Sequence, residues 1–208
     1  MKMKDFAPGD IASRDFYKIM TATIAPRPIA WVSTIDEAGV ANLAPFSFFN
    51  AVSGNPPTLL FCSGARAGAV KDTWYNIEAT GEFVVNVVTE ALGEPMNLTA
   101  TDLPADVDEF DYANLEKLPS TVVRPPRVAA SPVHFECRLQ QIVPIGGTPP
   151  TSAIIIGDIV QLHIAADLVD ENYRVDMAAL QLLGRHAGNS YSRSTNFIEL
   201  IRPPSQLG

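Results

Sequence analysis

Short runs of β-branched and aromatic residues, separated by turns rich in glycine and proline, predict that most of the chain forms β-strands. The first run, residues 29–35, is followed by Asp36-Glu37-Ala38-Gly39, which is turn chemistry and indicates a hairpin. The continuous apolar run at 58–62 is typical of a strand buried on both faces. The other predicted strands span 46–53, 82–88, 133–143 and 153–164, with a short strand or covering segment at 197–201.

Helical periodicity is restricted to a few segments between the strands. Ser13 precedes apolar residues at helical spacing over 14–20, and a second helical pattern runs from Val70 to Ala79 with Gly81 as its C-terminal stop. A third helical piece lies around residues 95–101. Because hairpin-length links dominate and strands do not alternate regularly with helices, the pattern favours an antiparallel β-barrel over a parallel sheet.

Length and composition fit one folded domain. The chain has 208 residues, of which 47% are hydrophobic and 18% charged, and these values are typical of a globular protein. We therefore predict a single domain over 1–208, with an N-terminal extension at 1–14. The mixed, acidic and proline-rich segment at about 90–132 is interpreted as an excursion over the barrel surface.

Net charge and cysteine content limit the kinds of ligand and partner that the chain is expected to bind. Fifteen basic and 23 acidic residues give a net charge of −8, which disfavours nucleic acid and anionic membranes. Cys62 and Cys137 match neither a disulfide framework nor a metal-ligand spacing, so we predict reduced thiols and no metal site. The N-terminal residues lack the apolar stretch of a secretory signal, and no segment reaches the ~20 apolar residues of a membrane span. We expect a cytoplasmic protein.

The segment from Ser63 to Thr73 carries the clearest chemical signal. It combines the end of a predicted strand, several small residues, the cations Arg66 and Lys71, and a predicted helix start. Backbone N–H groups, the positive end of a helix and two cations can converge on one phosphate group. The alternative is an ordinary loop with solvated cations. No Gly-x-Gly-x-x-Gly sequence opens a helix, so a Rossmann nucleotide site is not predicted.

Several motifs follow one another over nearly the whole chain from about Asp15. They are Arg27 to Thr34, Asn42 to Asn50, Lys71-Asp72-Thr73, Asn76-Ile77, Thr80 to Asn86, Ile156 to Val160, Gly184-Arg185 and Tyr191-Ser192-Arg193. Together these motifs resemble the flavin reductase-like, FMN-binding split-barrel family, in its flavoredoxin-type branch. The resemblance implies a closed antiparallel split β-barrel with a few peripheral helices. It also implies a homodimer that binds FMN near the subunit interface.

The resemblance also implies which residues bind FMN. One segment would line the flavin ring and ribityl chain through backbone amides and a hydroxyl group: Asn42, Leu43, Ala44, Pro45, Phe46, Ser47 and Asn50. A second set would hold the phosphate: Ser63, Arg66, Lys71 and Thr73, with Asp72 among them. Contacts to the ring or to an incoming nicotinamide are expected from Trp31, Arg185 and Tyr191.

Two of these expectations have ordinary structural alternatives. Aromatic residues that alternate in a strand are core residues more often than cofactor stacks, and regular alternation would put Phe46 and Phe48 on the face opposite Ser47 and Phe49. The glycine-containing segment at 184–193 could equally be a solvated surface loop.

No side chain is assigned a catalytic role. Many members of the family carry a histidine just before the strand residues that correspond to 154–157, but this chain has Ser152-Ala153 there. His134 and His163 lie in predicted strands and are assigned no function. Hydride transfer needs little acid–base help from the protein, because the cofactor carries the chemistry.

The resemblance implies an oxidoreductase that reduces bound FMN with NADH or NADPH. Its electrons would pass to free flavin, to oxygen or to a protein acceptor such as a monooxygenase. An alternative, favoured by the absent histidine, is an FMN-binding electron-transfer or storage protein without nicotinamide turnover. A further alternative is a split-barrel domain that binds another flat phosphorylated ligand, or no cofactor. Neither the acceptor nor the nicotinamide preference follows from the sequence.

Overall fold

The computed structural model describes residues 1–66 and 69–206, without the side chains of Arg66 and Ala69. The helices are α1 (Ser13–Thr23), α2 (Asp72–Thr80), α3 (Gly93–Leu98), α4 (Glu109–Tyr112) and α5 (Met177–Leu180). The strands are β1 (Ala30–Ile35), β2 (Ala41–Phe46), β3 (Phe49–Gly54), β4 (Pro57–Arg66), β5 (Ala69–Val70), β6 (Glu82–Val87), β7 (Lys117–Leu118), β8 (Arg127–Val128), β9 (Val133–Ile145), β10 (Ser152–Ile164), β11 (Leu183–Arg185) and β12 (Tyr191–Arg193).

The long strands form one antiparallel sheet in the order β2-β1-β6-β9-β10-β4-β3, with β5 paired to β4. Strands β9 and β10 are each 13 residues long and contain register shifts, which allow strong local bending. Strands β2 and β3 end the sheet, and no pairing between them is present among the described strands. A mainly β, antiparallel fold is thus confirmed, whereas closure of the barrel stays a prediction.

Strand β1 is buried on both faces, which explains its apolar sequence. Ala30 and Val32 pack into the sheet interior with Phe61 and Phe83. Trp31 points the opposite way, into a second cluster. That outer cluster also contains Met96 of α3, Phe110 of α4 and Val128 of β8. The segment at 90–132, interpreted above as a surface excursion, therefore contributes buried core residues on the outside of β1 and β2.

The predicted strand at 46–53 is interrupted. Strand β2 ends at Phe46 and β3 begins at Phe49, so regular alternation does not continue across the break. The ring of Phe46 is buried 4.9 Å from that of Phe61, whereas Phe48 is exposed with its ring 6.4 Å from Tyr17. The expectation that Phe46 and Phe48 share one face is wrong, because the bend between the strands reverses the side-chain direction.

Other predicted boundaries differ in smaller ways. Helix α2 begins at Asp72 rather than Val70, but its left-handed C-terminal residue is Gly81, as predicted, with a φ of 72°. The segment at 184–193 belongs to a short hairpin, in which Arg185 pairs with Tyr191. Residues 197–201 form no strand, and the side chains of Ile198, Leu200 and Ile201 are 83–90% exposed.

A buried carboxylate anchors the loop before β8. Glu136 is fully buried in β9, where its two oxygens accept hydrogen bonds from the backbone N–H groups of Thr121, Val122 and Val123 and from Nε2 of His163. Burial by itself would raise the pKa of Glu136, but the backbone and histidine hydrogen bonds outweigh it, so the pKa is lowered. The ionised carboxylate only accepts, so Nε2 of His163 carries the hydrogen.

Candidate functional site

Helices α2, α3 and α4 all pack against the edge strand β2, and a cavity of about 320 Å³ lies between them. We call it the Lys71 cavity. Six residues of the predicted cofactor set line it: Asn42, Ala44, Pro45, Lys71, Asp72 and Thr73. The side-chain amide of Asn42 donates to Oγ1 of Thr73 at 2.9 Å, which fixes the start of α2 against β2. The structure therefore brings together residues that are about 30 positions apart in the chain.

The donors of the Lys71 cavity suit an anionic group. The backbone N–H groups of Asp72 and Thr73 lie in the first turn of α2 and have no helical carbonyl to donate to. Because the Thr73 oxygen accepts from Asn42, its own hydrogen is free to donate into the cavity. The Lys71 ammonium lies 5.7 Å from the centroid of the Phe46 ring, at the end of the cavity towards the Phe46 side of β2.

A second, smaller cavity of about 160 Å³ continues along β2 and shares Pro45 and Ala100 with the first. We call it the Tyr191 cavity. Its other walls include Phe46, Ser47, Asn97, Arg185 and Tyr191. The guanidinium of Arg185 lies 4.5 Å from the centroid of the Tyr191 ring, so this pair forms one wall. The two cavities adjoin along β2, with the start of α2 in one and the Arg185–Tyr191 pair in the other. The Lys71 ammonium lies near Phe46, which lines the second cavity.

Arg27, which the sequence analysis noted only as part of a motif, organises the Tyr191 end. Its buried guanidinium donates to the carbonyl oxygens of Thr21 and Ile24 at the end of α1 and to that of His186 in the β11–β12 turn. Its Nε also donates to Oγ of Ser47 at 3.4 Å. Arg27 therefore joins α1, the bend after β2 and the hairpin that carries Arg185 and Tyr191.

Trp31 lies behind the cavity wall rather than in it. It is fully buried, and its indole N–H donates to Oγ1 of Thr99 at 2.8 Å. Thr99 in turn donates to the carbonyl of Met96, so its hydroxyl hydrogen is already used within the protein. Thr99 lines the Lys71 cavity, and Trp31 positions it. The expected direct contact between Trp31 and a flavin ring is not supported by this geometry.

Three other predicted site residues lie elsewhere. Leu43 is fully buried, and its backbone N–H is already bonded to Glu109 at 2.9 Å. Asn50 is exposed and faces a different, apolar groove. Ser63 is fully buried in β4, and its hydroxyl has no hydrogen-bond partner among the described residues. The side chain of Arg66 is outside the described part of the structure.

The segment after α3 contributes cavity residues that the sequence pattern did not predict. Thr99, Thr101, Asp102 and Glu109 line the Lys71 cavity, although their segment was interpreted as a surface excursion. No local pattern marks them, because their position depends on α3 and α4 packing against β2.

The pKa of Glu109 is raised above its ordinary value, mainly because the side chain is buried. Hydrogen bonds from the N–H groups of Leu43 and Glu109 itself lower this pKa, whereas the charges of Asp108 and Asp72 raise it.

In the described part of the chain, no cluster of three or more histidine, cysteine or acidic side chains is suitable for a metal ion. Burial raises the pKa of the Cys62 and Cys137 thiols, so both remain protonated and poor nucleophiles.

None of the described helices has the length and apolarity that a bilayer span requires.

The sheet and the two joined cavities define a mainly β protein with an edge-strand site suited to a long ligand that has one anionic end. The family model of the flavin reductase like domain matches residues 22–182. The chain belongs to this flavin reductase like family, as its motifs predicted.

Similar proteins support the same assignment. An uncharacterized protein of Deinococcus radiodurans is 43% identical over 194 residues, covering 89% of this chain and 84% of that protein. The crystal structure of nitrilotriacetate monooxygenase component B from Bacillus cereus has a TM-score of 0.93 and 35% identity, covering 96% of this chain and all of that one. Pseudomonas fluorescens 2-nitrobenzoate 2-nitroreductase has a TM-score of 0.87 and 30% identity, covering 98% and 100%.

Proposed function

We propose that the protein is an FMN-dependent oxidoreductase that takes electrons from NADH or NADPH and passes them to free flavin, to oxygen or to a protein acceptor. The observation that carries the proposal is the pair of adjoining cavities along β2, with the start of α2 and Lys71 lining one and the Arg185–Tyr191 pair lining the other. This order of groups matches the order of phosphate, ribityl chain and ring in FMN.

Each end of the site has a defined task. The Lys71 ammonium, the first N–H groups of α2 and the Thr73 hydroxyl would bind the phosphate. The polypeptide of β2 and Ser47, held by Arg27, would face the polar edge of the ring. When bound, FMN would accept a hydride and release electrons, which is chemistry that no side chain here supplies. The protein residues bind the cofactor and orient it.

The place where many family members carry a histidine is occupied by Ser152 and Ala153, and neither side chain titrates near neutral pH. Ala153 is fully buried and pairs with Ser63, while the Ser152 hydroxyl donates to the Ser63 carbonyl at 3.1 Å. Neither His134 nor His163 lines the two cavities. This observation favours the second candidate, an FMN-binding electron carrier or store that is reduced by a partner protein.

Anaerobic reduction distinguishes the two candidates. For the proposed enzyme, we expect the purified protein with bound FMN to lose its flavin absorbance within seconds of adding NADH or NADPH, because a positioned hydride donor reacts far faster than one in solution. The control is free FMN at the same concentration. Bleaching by dithionite alone would favour the electron carrier. If FMN neither binds nor raises the melting temperature, both candidates are excluded.

We further propose that the protein acts as a homodimer in the cytoplasm, with a second copy covering its apolar groove. This groove has a volume of about 560 Å³ and is lined largely by apolar residues of β9, β10 and the segment before β11, among them Phe135, Leu162, Ile164 and Leu182. Ser194 lies at its edge, where the C-terminal tail (195–206) leaves the sheet. The exposed Ile198, Leu200 and Ile201 of this tail supply matching apolar surface.

Removing the tail tests the dimer. A chain that stops after Ser194 is expected to dimerise at least roughly tenfold more weakly than the full chain, because several large aliphatic side chains lose their burial. The measurement is sedimentation equilibrium. A matched variant, Glu199→Gln, changes the tail without removing apolar surface and should dimerise normally. A full-length chain that stays monomeric at high concentration would contradict the proposal.

A further inference from the structure

Glu109 is a carboxylate in an unusual position for a phosphate site. It begins α4, is 8% exposed and lines the Lys71 cavity, while its Oε2 accepts the backbone N–H of Leu43 at 2.9 Å. No ion pair to Glu109 is present among the residues that the structure describes. Lys117 is bonded to Asp108 and Asp111 instead. A charged Glu109 would therefore face an incoming phosphate without a cation of its own.

Most of the charged groups around Glu109 are acidic, which adds to the repulsion between an ionised Glu109 and a phosphate. Among the side chains that the structure describes, the charged groups near Glu109 are Lys71 and Asp72 of the α2 start, Asp102 of the loop after α3, Asp108 and Asp111 of its own segment, and Lys117 of β7. Burial raises the pKa of Glu109 above its ordinary value, although the N–H groups of Leu43 and Glu109 act in the opposite direction. A phosphate monoester brings a further charge of about −1.5 to −2 into the same cavity. A buried carboxylate and a phosphate in one cavity cannot both remain ionised at low cost.

We propose that Glu109 couples the binding of a phosphate ester in the Lys71 cavity to the uptake of one proton from solvent onto its own carboxyl group. This inference rests on the proposed function, with FMN as the phosphate ester. A protonated Glu109 can still accept the Leu43 N–H through its carbonyl oxygen, and its O–H becomes a donor to the bound anion. Riboflavin, which lacks the phosphate, should bind without this proton.

Calorimetry measures the proton directly. We expect FMN binding at about pH 7.5, measured in buffers of different ionisation enthalpy, to take up roughly half to one proton more in the unaltered protein than in Glu109→Gln. The glutamine keeps an oxygen for the Leu43 N–H but cannot titrate. Glu78→Gln, an exposed change of the same type in α2, is the matched control and should behave like the unaltered protein. Riboflavin titrations should show no difference among the three proteins.

The same variant has a second readout in affinity. The FMN dissociation constant of the unaltered protein, divided by that of Glu109→Gln, should rise about tenfold between about pH 5 and pH 8, because only the unaltered site acquires a charge there. Equal proton uptake in all three proteins would overturn the inference while leaving FMN binding intact. Equal losses of FMN and riboflavin affinity in Glu109→Gln would also overturn it, because Glu109 would then be accepting ribityl hydroxyls. Failure of all three proteins to bind FMN would instead contradict the proposed function.

Discussion

Replacing Lys71 with methionine is expected to weaken FMN binding by about 1.5–3 kcal/mol, or roughly 10- to 100-fold, while changing riboflavin binding by less than about threefold. Among the described residues that line the Lys71 cavity, Lys71 is the one with a cationic side chain. A hydrogen bond from this ammonium to a charged phosphate is among the stronger single contacts. Methionine keeps the apolar stem beside the Phe46 ring, so the wall itself should remain. Fluorescence titration with each flavin provides both dissociation constants.

The contrast between the two flavins is what makes this test specific. Riboflavin shares the ring and ribityl chain with FMN and lacks only the phosphate, so a general disturbance of the site would weaken both. Lys4→Met removes the same charge from the exposed N-terminal extension and should alter neither affinity. Equal losses of FMN and riboflavin affinity in Lys71→Met would show that Lys71 does not hold the phosphate.

Replacing Glu136 with glutamine is expected to lower the free energy of unfolding by about 3–5 kcal/mol, and the melting temperature by roughly 6–15 °C. All four groups that Glu136 contacts are donors: three backbone N–H groups and Nε2 of His163. In either orientation, the amide nitrogen of glutamine would face donors and leave buried N–H groups without an acceptor. Denaturant unfolding measures the difference.

The pH dependence of this loss has a definite sign. Because the pKa of Glu136 is lowered in the folded protein, its ionised form contributes stability that is fully present above the unfolded pKa. That contribution disappears as the pH falls through the folded pKa, so the gap between the unaltered protein and Glu136→Gln should narrow below about pH 4.

Glu82→Gln is the matched control for Glu136. Glu82 also accepts a backbone N–H from the same loop, that of Arg124, but its ion pair with the Arg124 guanidinium lies at the surface. Its loss should cost about 1 kcal/mol or less. Similar losses for the two variants would contradict the view that complete burial of Glu136 makes it the main anchor of the loop.

Local patterns were sufficient for most of the long strands and for the class of fold. Strands β1, β4, β6, β9 and β10 lie where β-branched and aromatic runs predicted them, and Gly81 ends α2 because only a residue without a side chain adopts its φ readily. The pattern failed at Ser47 and Phe48, where a sharp bend separates β2 from β3. It failed again at 197–201, where an apolar run has no sheet neighbour among the described residues.

The site was only partly contained in the sequence. The family resemblance named the segment from Asn42 to Ser47, and small residues, cations and a helix start marked the beginning of α2; the structure places residues of both at one cavity. Thr99 and Glu109 could not, because nothing in their own neighbourhood marks them as binding residues. They reach the cavity only because their segment buries Met96 and Phe110 against Trp31. Asn50, by contrast, was assigned to the site through the family resemblance and faces the apolar groove instead.

By itself, the sequence determined which segments become strands, the antiparallel class of the sheet, the family, and the cations and small polar residues suited to a phosphate. These properties depend on residue type and on spacing within a few positions, and both can be read directly from the sequence. Only the tertiary structure decided that Glu109 shares the cavity with Lys71 and that Trp31 stands behind its wall. It also showed that Arg27 joins α1 to the β11–β12 hairpin. Those relations are contacts between distant segments, and packing of the whole chain sets them.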